Sequence, residues 1–324
     1  MNQTLIKILA DGQFHSGEAL GQALGVTRAA VWKQLHKLEE MNIPLHSIKG
    51  KGYRLPEAVE LLDLDRLQQA GLPLSDFDKT DIFLSLDSTN DEMMRRASQA
   101  EPLGKQLCFA EMQTSGRGRR GRQWLSPFSR NLYFSMLWPF EGIAAMQGLS
   151  LAVGLAVYRV LKPMEIEGLG LKWPNDILVG NKKLGGILIE LTGDVTDACQ
   201  GVIGVGLNFD WRNQDQAHIE QEATGLVQVL PSSYPFSRNE ITARLITELV
   251  NVLKQFAVDG FAVLQEEWNQ ANGFAEQEVD VILPSSVVSG TCKGVNEKGE
   301  LVIQTEDGEH VFNAGEVSLR RVIA

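Results

Sequence analysis

The sequence predicts an α+β protein of several domains: a head of short helices closed by a β-hairpin, a central mixed β-sheet with helices, and a small C-terminal β-barrel. Three observations carry this. The first 56 residues show helix caps and helical apolar spacing, then two short β-like runs around a Lys/Gly tip. From about 80 to 210, strand-like runs alternate with helical ones. After Phe274 five short β-like runs follow in about 50 residues, the mark of a small barrel. At 324 residues the chain is also too long for one ordinary core.

In the head, Leu5, Ile6 and Leu9 make a helical stripe that Asp11-Gly12 ends. Ser16 is placed to cap a second helix carrying Leu20 and Leu24, and Gly25 supplies a sharp turn. Thr27 caps a third helix with Val31, Leu35 and Leu38 at helical spacing. Helix, glycine turn, helix is the sequence form of a helix-turn-helix. The stretch 43–55, with Lys49-Gly50-Lys51-Gly52 at its tip, reads as the wing of a winged helix.

Pro56 begins a boundary, followed by a short leucine-rich helix (Leu61, Leu62, Leu64, Leu67) and a loop. Strands are expected at 82–86, 107–111, 132–137, 168–173, 176–179, 183–191 and 201–208, with Gly180-Asn181 turning a hairpin. Helices are expected at 90–99 and 147–161. A polar, Gln-rich loop at about 210–235 precedes a long amphipathic helix from 239 to about 258 and a second around 260–270. The C-terminal strands are expected at 279–283, 287–295, 301–305, 310–313 and 317–319. The domains then divide as 1–60, 65–272 and 273–324.

Composition, 44% hydrophobic and 22% charged, is that of a soluble globular protein. No apolar run is long enough to span a membrane, and Met1–Lys7 lacks the layout of a secretory signal. Three distant cysteines, Cys108, Cys199 and Cys292, have no metal-ligand spacing and fit reduced thiols in a cytoplasm. The net charge of −11 excludes a molecule that binds nucleic acid over its whole surface. Residues 1–56, however, hold seven Lys/Arg against four Asp/Glu, a basic head on an acidic body.

Four segments carry chemistry. Gly116-Arg117-Gly118-Arg119-Arg120-Gly121-Arg122 puts four arginines and three glycines in seven residues. Glycine permits close backbone approach, and arginine binds phosphate or carboxylate. The glycines also satisfy Gly-x-Gly-x-x-Gly, but Pro127 and the residues before it supply no helix at the third glycine, so a dinucleotide fold is rejected. A solvated basic loop, or a disordered Arg/Gly segment that binds RNA, are the other readings. The second segment is Lys172-Trp173-Pro174-Asn175-Asp176 with Lys183-Leu184-Gly185-Gly186. A lysine in an apolar strand usually snorkels to solvent, but the glycine pair beside it lets a ligand approach backbone. The third, Asp87-Ser88-Thr89-Asn90, is a helix cap that can also hold a polar ligand group. The fourth, Gly204-Val205-Gly206-Leu207-Asn208, is either a closely packed strand end or the wall of a slot.

Taken in order and separation, these segments resemble the bifunctional biotin–protein ligases that also repress transcription. The resemblance extends over essentially the whole chain. It implies a central domain of the biotin/lipoate ligase, class II synthetase-like type and an SH3-like C-terminal barrel. It implies activation of biotin by ATP with Mg2+, transfer to a lysine of the biotin carboxyl carrier protein, and repression of biotin-synthesis genes by an adenylate-bound homodimer on operator DNA. By resemblance, Lys172 and Arg119 are catalytic. Ser88, Thr89, Asn90, Gln113, Arg117, Gly118, Arg119, Lys172, Gly204 and Gly206 bind biotin. Gly116, Arg117, Arg119, Arg122, Trp124, Asn175, Lys172 and Asn208 bind ATP or adenylate. Gly17, Thr27, Arg28, Trp32, Lys33, His36, Lys49 and Lys51 face DNA. No metal ligand set and no membrane partner is expected. The segments 110–128, 140–142, 193–199 and 210–222 would order on adenylate binding. A lipoate–protein ligase, a ligand-sensing repressor without ligase activity, and a ligase whose head no longer binds DNA are the competing readings.

Overall fold

The computed structural model describes residues 3–98, 104–192, 199–217, 219, 221–231, 234, 235, 237–314 and 318–321. Residue 99, residue 317 and the stretch 193–198 of the expected ordering segments lie outside them, as do 218 and 220.

The head holds α1 (Gln3–Leu9), α2 (Gly17–Leu24), α3 (Arg28–Glu40), β1 (His46–Ile48) and β2 (Gly52–Arg54). Its caps form as expected. The Ser16 hydroxyl accepts from Ala19 N, and Gly25 ends α2 at φ 66°, where any side chain would be strained. The Thr27 hydroxyl accepts from Ala30 N and starts α3. Leu5, Ile6, Leu9, Leu20, Val31, Leu35 and Leu38 close a core of their own, which also takes in Met112 and Phe128 from the central domain. The hairpin β1–β2 is antiparallel, and Tyr53 pairs back with His15.

A short α4 (Leu64–Gln69) follows; Leu61 and Leu62, expected inside it, precede its cap Asp63. Next come β3 (Lys79–Phe83), α5 (Thr89–Ala97), β4 (Gln106–Ala110), β5 (Asn131–Phe140), α6 (Leu149–Leu161), β6 (Leu169–Lys172), β7 (Asp176–Val179), β8 (Lys182–Thr192) and β9 (Cys199–Asn208). They make one seven-stranded sheet in the order β3-β4-β5-β9-β8-β7-β6, parallel only between β3 and β4. β3 starts and ends three residues before the expected strand: its pairing with β4 stops at Phe83, and Leu84 then packs on the core of the head while Leu86 packs beside Met93 of α5. β5 runs four residues longer, one at its start and three at its end, carried by ten paired positions with β9.

Side-chain alternation divides the sheet. Leu132, Phe134 and Met136 of β5 and Ile203, Val205 and Leu207 of β9 pack under α6 and α9 (Arg238–Asp259) in the main core. The opposite face carries Ser135 and Leu137, Gly204, Gly206 and Asn208, and Gly186, Leu188 and Glu190. α5 covers one end of that face, where Met93 packs on Cys108, Leu137 and Val202. The other end is left open. The 210–235 loop holds two one-turn helices, α7 (Asn213–Gln216) and α8 (Leu226–Val229), that the sequence did not signal. α10 (Gln265–Ala271) closes the domain.

The C-terminal strands β10 (Glu278–Ile282), β11 (Val287–Val295), β12 (Leu301–Thr305), β13 (Gly308–Phe312) and β14 (Ser318–Arg321) form an antiparallel sheet ordered β13-β12-β11-β10-β14. Among the described residues its outer strands β13 and β14 are not paired with each other, so the form seen is a five-stranded antiparallel sheet whose ends are not joined by strand pairing. It is fastened to the central domain by Trp173 Nε1 donating to Gly299 O at 3.1 Å and Asn269 Nδ2 donating to Val295 O at 3.0 Å.

Candidate active site

The open end of the sheet's second face is a cavity of about 880 Å³. Its floor needs glycine. A Cβ on Gly204 would meet Asn90 Oδ1 at 2.0 Å, and one on Gly206 would meet the Trp124 ring at 2.4 Å. The two glycines thus give room to Asn90 and Trp124, rather than only exposing backbone to a ligand.

One wall is the basic loop. Gly118 N donates to Arg122 O at 2.7 Å and Arg117 bridges Gln123, so the loop is a tight hairpin with Arg120 and Gly121 at positive φ. No helix opens at Gly121, which agrees with rejecting a dinucleotide motif. Arg117 Nη2 reaches Glu190 at 3.0 Å and also pairs with Asp91. Burial works against its charge, but these two carboxylates together hold its pKa above the usual value. Arg119 Nη1 donates to Asn175 Oδ1 at 3.2 Å, and Nη2 to Ala314 O of the C-terminal domain. Burial lowers the Arg119 pKa, and Arg120 and Arg122 add to that. Gly116 departs from expectation: it does not line the cavity. A Cβ there would meet Trp124 O at 2.5 Å, so its place is in the tight turn of the loop.

The facing wall carries Lys172 at the end of β6. Its ammonium lies 5.6 Å from the Phe274 ring centre. Burial lowers its pKa; Asp176 opposes this, and Lys183, Arg320 and Arg122 reinforce it. Beside it Lys183 Nζ sits 2.6 Å from Asp176 Oδ1 and 5.3 Å from the Trp124 ring centre.

The inner end is polar and prearranged. Thr89 N and Oγ1 donate to Gln113 Oε1 at 2.8 and 3.1 Å. Gln113 Nε2 donates to Ser126 Oγ at 3.0 Å. Asn90 Nδ2 donates to Glu190 Oε2 at 2.8 Å. Ser88 caps α5 by accepting from Asp91 N. The buried Ser135 hydroxyl lies 2.8 Å from Thr89 Oγ1 and 2.5 Å from Asn90 Oδ1. Among the described residues, Trp124 Nε1 and Asn208 Oδ1 are buried without a hydrogen-bond partner, leaving a donor and an acceptor for a ligand.

All the expected biotin and adenylate residues except Gly116 line this one cavity. Sequence reasoning missed Asp176 and Lys183, although both stood in the quoted motifs, and Ser135, which the period-two alternation of β5 could have found. It also missed Trp211 and Gln221 from the 210–235 loop, and Phe274 and Arg320 from the C-terminal segment. Local pattern gives no signal for those four, because long-range folding brings them in. Seven basic side chains line the cavity against one carboxylate, Asp176, in a chain of net charge −11. Such a concentration of positive charge suits a ligand with several negative charges.

In the head, Gly17, Arg28 and Trp32 line a second hollow of about 390 Å³ with Ala29, Val31 and Tyr53. Lys33, His36, Lys49 and Lys51 are exposed nearby on α3 and the wing tip, while the Thr27 hydroxyl is engaged as a cap. No helix among the described residues is long and apolar enough to cross a membrane, and none of their His, Cys, Asp or Glu side chains cluster as metal ligands.

Comparison with known proteins adds three family matches: the biotin/lipoate A/B protein ligase family over residues 82–208, an HTH domain over 2–54, and the biotin protein ligase C-terminal domain over 275–320. The chain is 37% identical over 318 residues to the bifunctional ligase/repressor BirA of Salmonella typhimurium, covering 98% of this chain and 97% of that one. It is 31% identical over 259 residues to the biotin–[acetyl-CoA-carboxylase] ligase of Mycobacterium tuberculosis, covering 78% and 92%. Among solved structures, the biotin protein ligase of Aquifex aeolicus in complex with biotin and ATP matches at TM-score 0.64 and 31% identity, over 76% of this chain and 100% of that one.

Proposed function

The chain belongs to the biotin–protein ligases in their bifunctional ligase/repressor form, and we propose that Lys172 and the 116–122 loop are the two jaws that join biotin to AMP. The enzyme consumes ATP, releases diphosphate and AMP, and leaves biotin on a lysine of its acceptor protein. The observation that carries the assignment of residues is the single cavity with Lys172 on one wall, Arg117, Arg119 and Arg122 on the other, and a polar cage at its inner end.

In the first step a carboxylate oxygen of biotin attacks the α-phosphate of ATP, and diphosphate leaves. Two anions must approach, so fixed cations lower the barrier. Lys172, half-buried among other cations, stabilises the charge that grows on the α-phosphate. The biotin ring and chain lie against Ser88, Thr89, Asn90 and Gln113, whose rotamers are held by Ser135, Glu190 and Ser126 before any ligand enters. Trp124 Nε1 and Asn208 Oδ1 offer a donor and an acceptor to the nucleotide, with Arg122 and Asn175 near ribose and phosphates. Arg119 and Arg117 close over the mixed anhydride and keep water from it. In the second step the acceptor's lysine amine attacks the acyl carbon and AMP departs. No protein nucleophile is required. Mg2+ enters with the ATP phosphates as part of the substrate. Asp176 is the one carboxylate lining the cavity and is paired with Lys183, which suits a metal held mainly by phosphate.

The acceptor is the biotin carboxyl carrier protein of acetyl-CoA carboxylase. The adenylate-bound chain dimerises and occupies the operator of biotin-synthesis genes through its basic head. Thr27 positions α3, Arg28, Trp32, Lys33 and His36 face the groove beside Gly17, and Lys49 and Lys51 approach phosphate. The three free, buried cysteines support a cytoplasmic setting.

The test is incubation of the purified chain with ATP, Mg2+, a carrier domain and either labelled biotin or lipoate. Biotin alone should enter the carrier, one AMP appearing per biotin. Transfer of lipoate, or ADP as product, would reverse the assignment. For the repressor arm, sedimentation with and without biotin and ATP should show dimers only with both; equal association in the two states would remove the switch.

A further inference from the structure

Among the described residues, the one aromatic among the exposed large hydrophobic side chains lies on α3, outside the catalytic machinery. Of six tryptophans only Trp32 is exposed, at 56% of its surface; Trp124 is half-buried and the other four are buried. Exposing an indole sacrifices favourable burial, so a lone exposed Trp in a charged helix calls for a partner. Its ring is held rather than loose. His36, one turn on, stacks on it at 5.5 Å with 11° between planes, and His36 Nδ1 lies 3.3 Å from Glu39 Oε2.

The surroundings define the partner's chemistry. Arg28, Trp32 and His36 are spaced by four and form one row beside the buried row Val31, Leu35, Leu38. That row borders the hollow toward α2 and the wing, which Gly17 and Tyr53 complete. Exposed Lys33 on the same helix and Lys49 and Lys51 on the wing carry positive charge, while Glu39 and Glu40 flank His36 at the far end of the row. An apolar, fixed ring on a head with exposed cations fits a polyanion with an apolar feature at the depth a helix reaches. In duplex DNA the major groove offers one such feature, the C5-methyl of thymine, and beside it the O4 acceptor that an indole N–H can meet.

We propose that Trp32 is a specificity-determining residue of the head, reading thymine methyl groups in the major groove, with His36 as the residue that fixes its ring. This rests on the reading of the head as DNA-binding and adds which base it selects. The wing lysines Lys49 and Lys51 supply phosphate contacts that carry no sequence information. One buried methyl corresponds to about fourfold in affinity.

The experiment uses the full chain with biotin and ATP and a duplex selected from a random 30-base-pair pool (about three helical turns, room for two half-sites). Each thymine of the selected duplex is replaced in turn by deoxyuridine, which removes the methyl and nothing else. Fluorescence anisotropy then compares the wild type with Trp32→Ala and Trp32→Phe. At one or two positions per half-site, methyl loss should weaken the wild type about fourfold, leave Trp32→Ala unchanged, and keep most of its effect in Trp32→Phe. The proposal is overturned if methyl loss costs the wild type and Trp32→Ala the same at every position. If the wild type selects no sequence and binds random DNA alone, the repressor reading falls and this proposal falls with it, a result distinct from the first.

Discussion

Replacing Lys172 by Met keeps the length and much of the apolar stem while removing the charge. Its ammonium sits in a half-buried position with Asp176 as the opposing charge and Lys183, Arg320 and Arg122 as like charges. At about 4 Å and an effective dielectric near 20, a unit charge pair is worth about 4 kcal/mol. The neighbouring cations remain and make up part of this. Removal of one prearranged charge-stabilising group costs about 100- to 1000-fold in turnover. We therefore expect Lys172→Met to lower the rate of biotin-dependent diphosphate release by that factor, while biotin binding by calorimetry weakens less than about tenfold. A second readout is pH. The cation is the working form and its pKa is lowered, so kcat/KM of the wild type should fall at a pH below that of an ordinary lysine. Lys172→Arg should lose this alkaline limb, because guanidinium stays protonated. Equal losses in binding and rate, or an unchanged limb in the Arg variant, would refute the charge argument.

Arg119→Gly removes the contacts to Asn175 and Ala314 that tie the loop to the facing wall and the C-terminal domain. Adenylate should then escape and label lysines of unrelated proteins, seen by blotting for biotin; labelling that stays confined to the carrier would defeat the lid reading. Gly206→Ala places a methyl 2.4 Å from the Trp124 ring, so the indole must move. Diphosphate release should drop at least tenfold with a changed tryptophan emission, and unchanged emission would mean the floor is less tight than described. Arg238→Met leaves Glu111, 1% exposed at its side chain and 2.7 Å from the lost guanidinium, without its charge partner. Unfolding by urea should show a loss of about 3–5 kcal/mol; a loss under about 1 would place the pair among the weak ones.

Much of the fold was legible because local chemistry decided it. Ser16, Gly25 and Thr27 set the boundaries of α2 and α3 through caps and a left-handed turn, which depend on a few neighbouring residues. The strand that begins the central sheet lies three residues before the expected one, since nothing local marks where Leu84 leaves the pairing with β4. α7 and α8 went unseen in a polar loop. α7 is held by the Asp215 pair with Arg130, 85 residues away in sequence, a contact no window contains. The site divides the same way. Lys172, Arg119 and the Ser88–Asn90 cap stood in dense motifs, and the structure gathers them. Phe274 and Arg320 reach the cavity only because the C-terminal sheet is fastened over Trp173. Gly116 shares the dense basic motif, but its neighbours Trp124 O and Ser126 Oγ make it a steric requirement of the turn.

A crystal structure with a non-hydrolysable acyl-sulfamate analogue of biotinyl-adenylate is the most direct measurement. The account predicts the linkage between acid and nucleotide within hydrogen-bond distance of Lys172 Nζ, roofed by Arg117 and Arg119, with the bicyclic ring beside Thr89 and Gln113. A ligand bound elsewhere, or a linkage far from the ammonium with the basic loop turned to solvent, would contradict it.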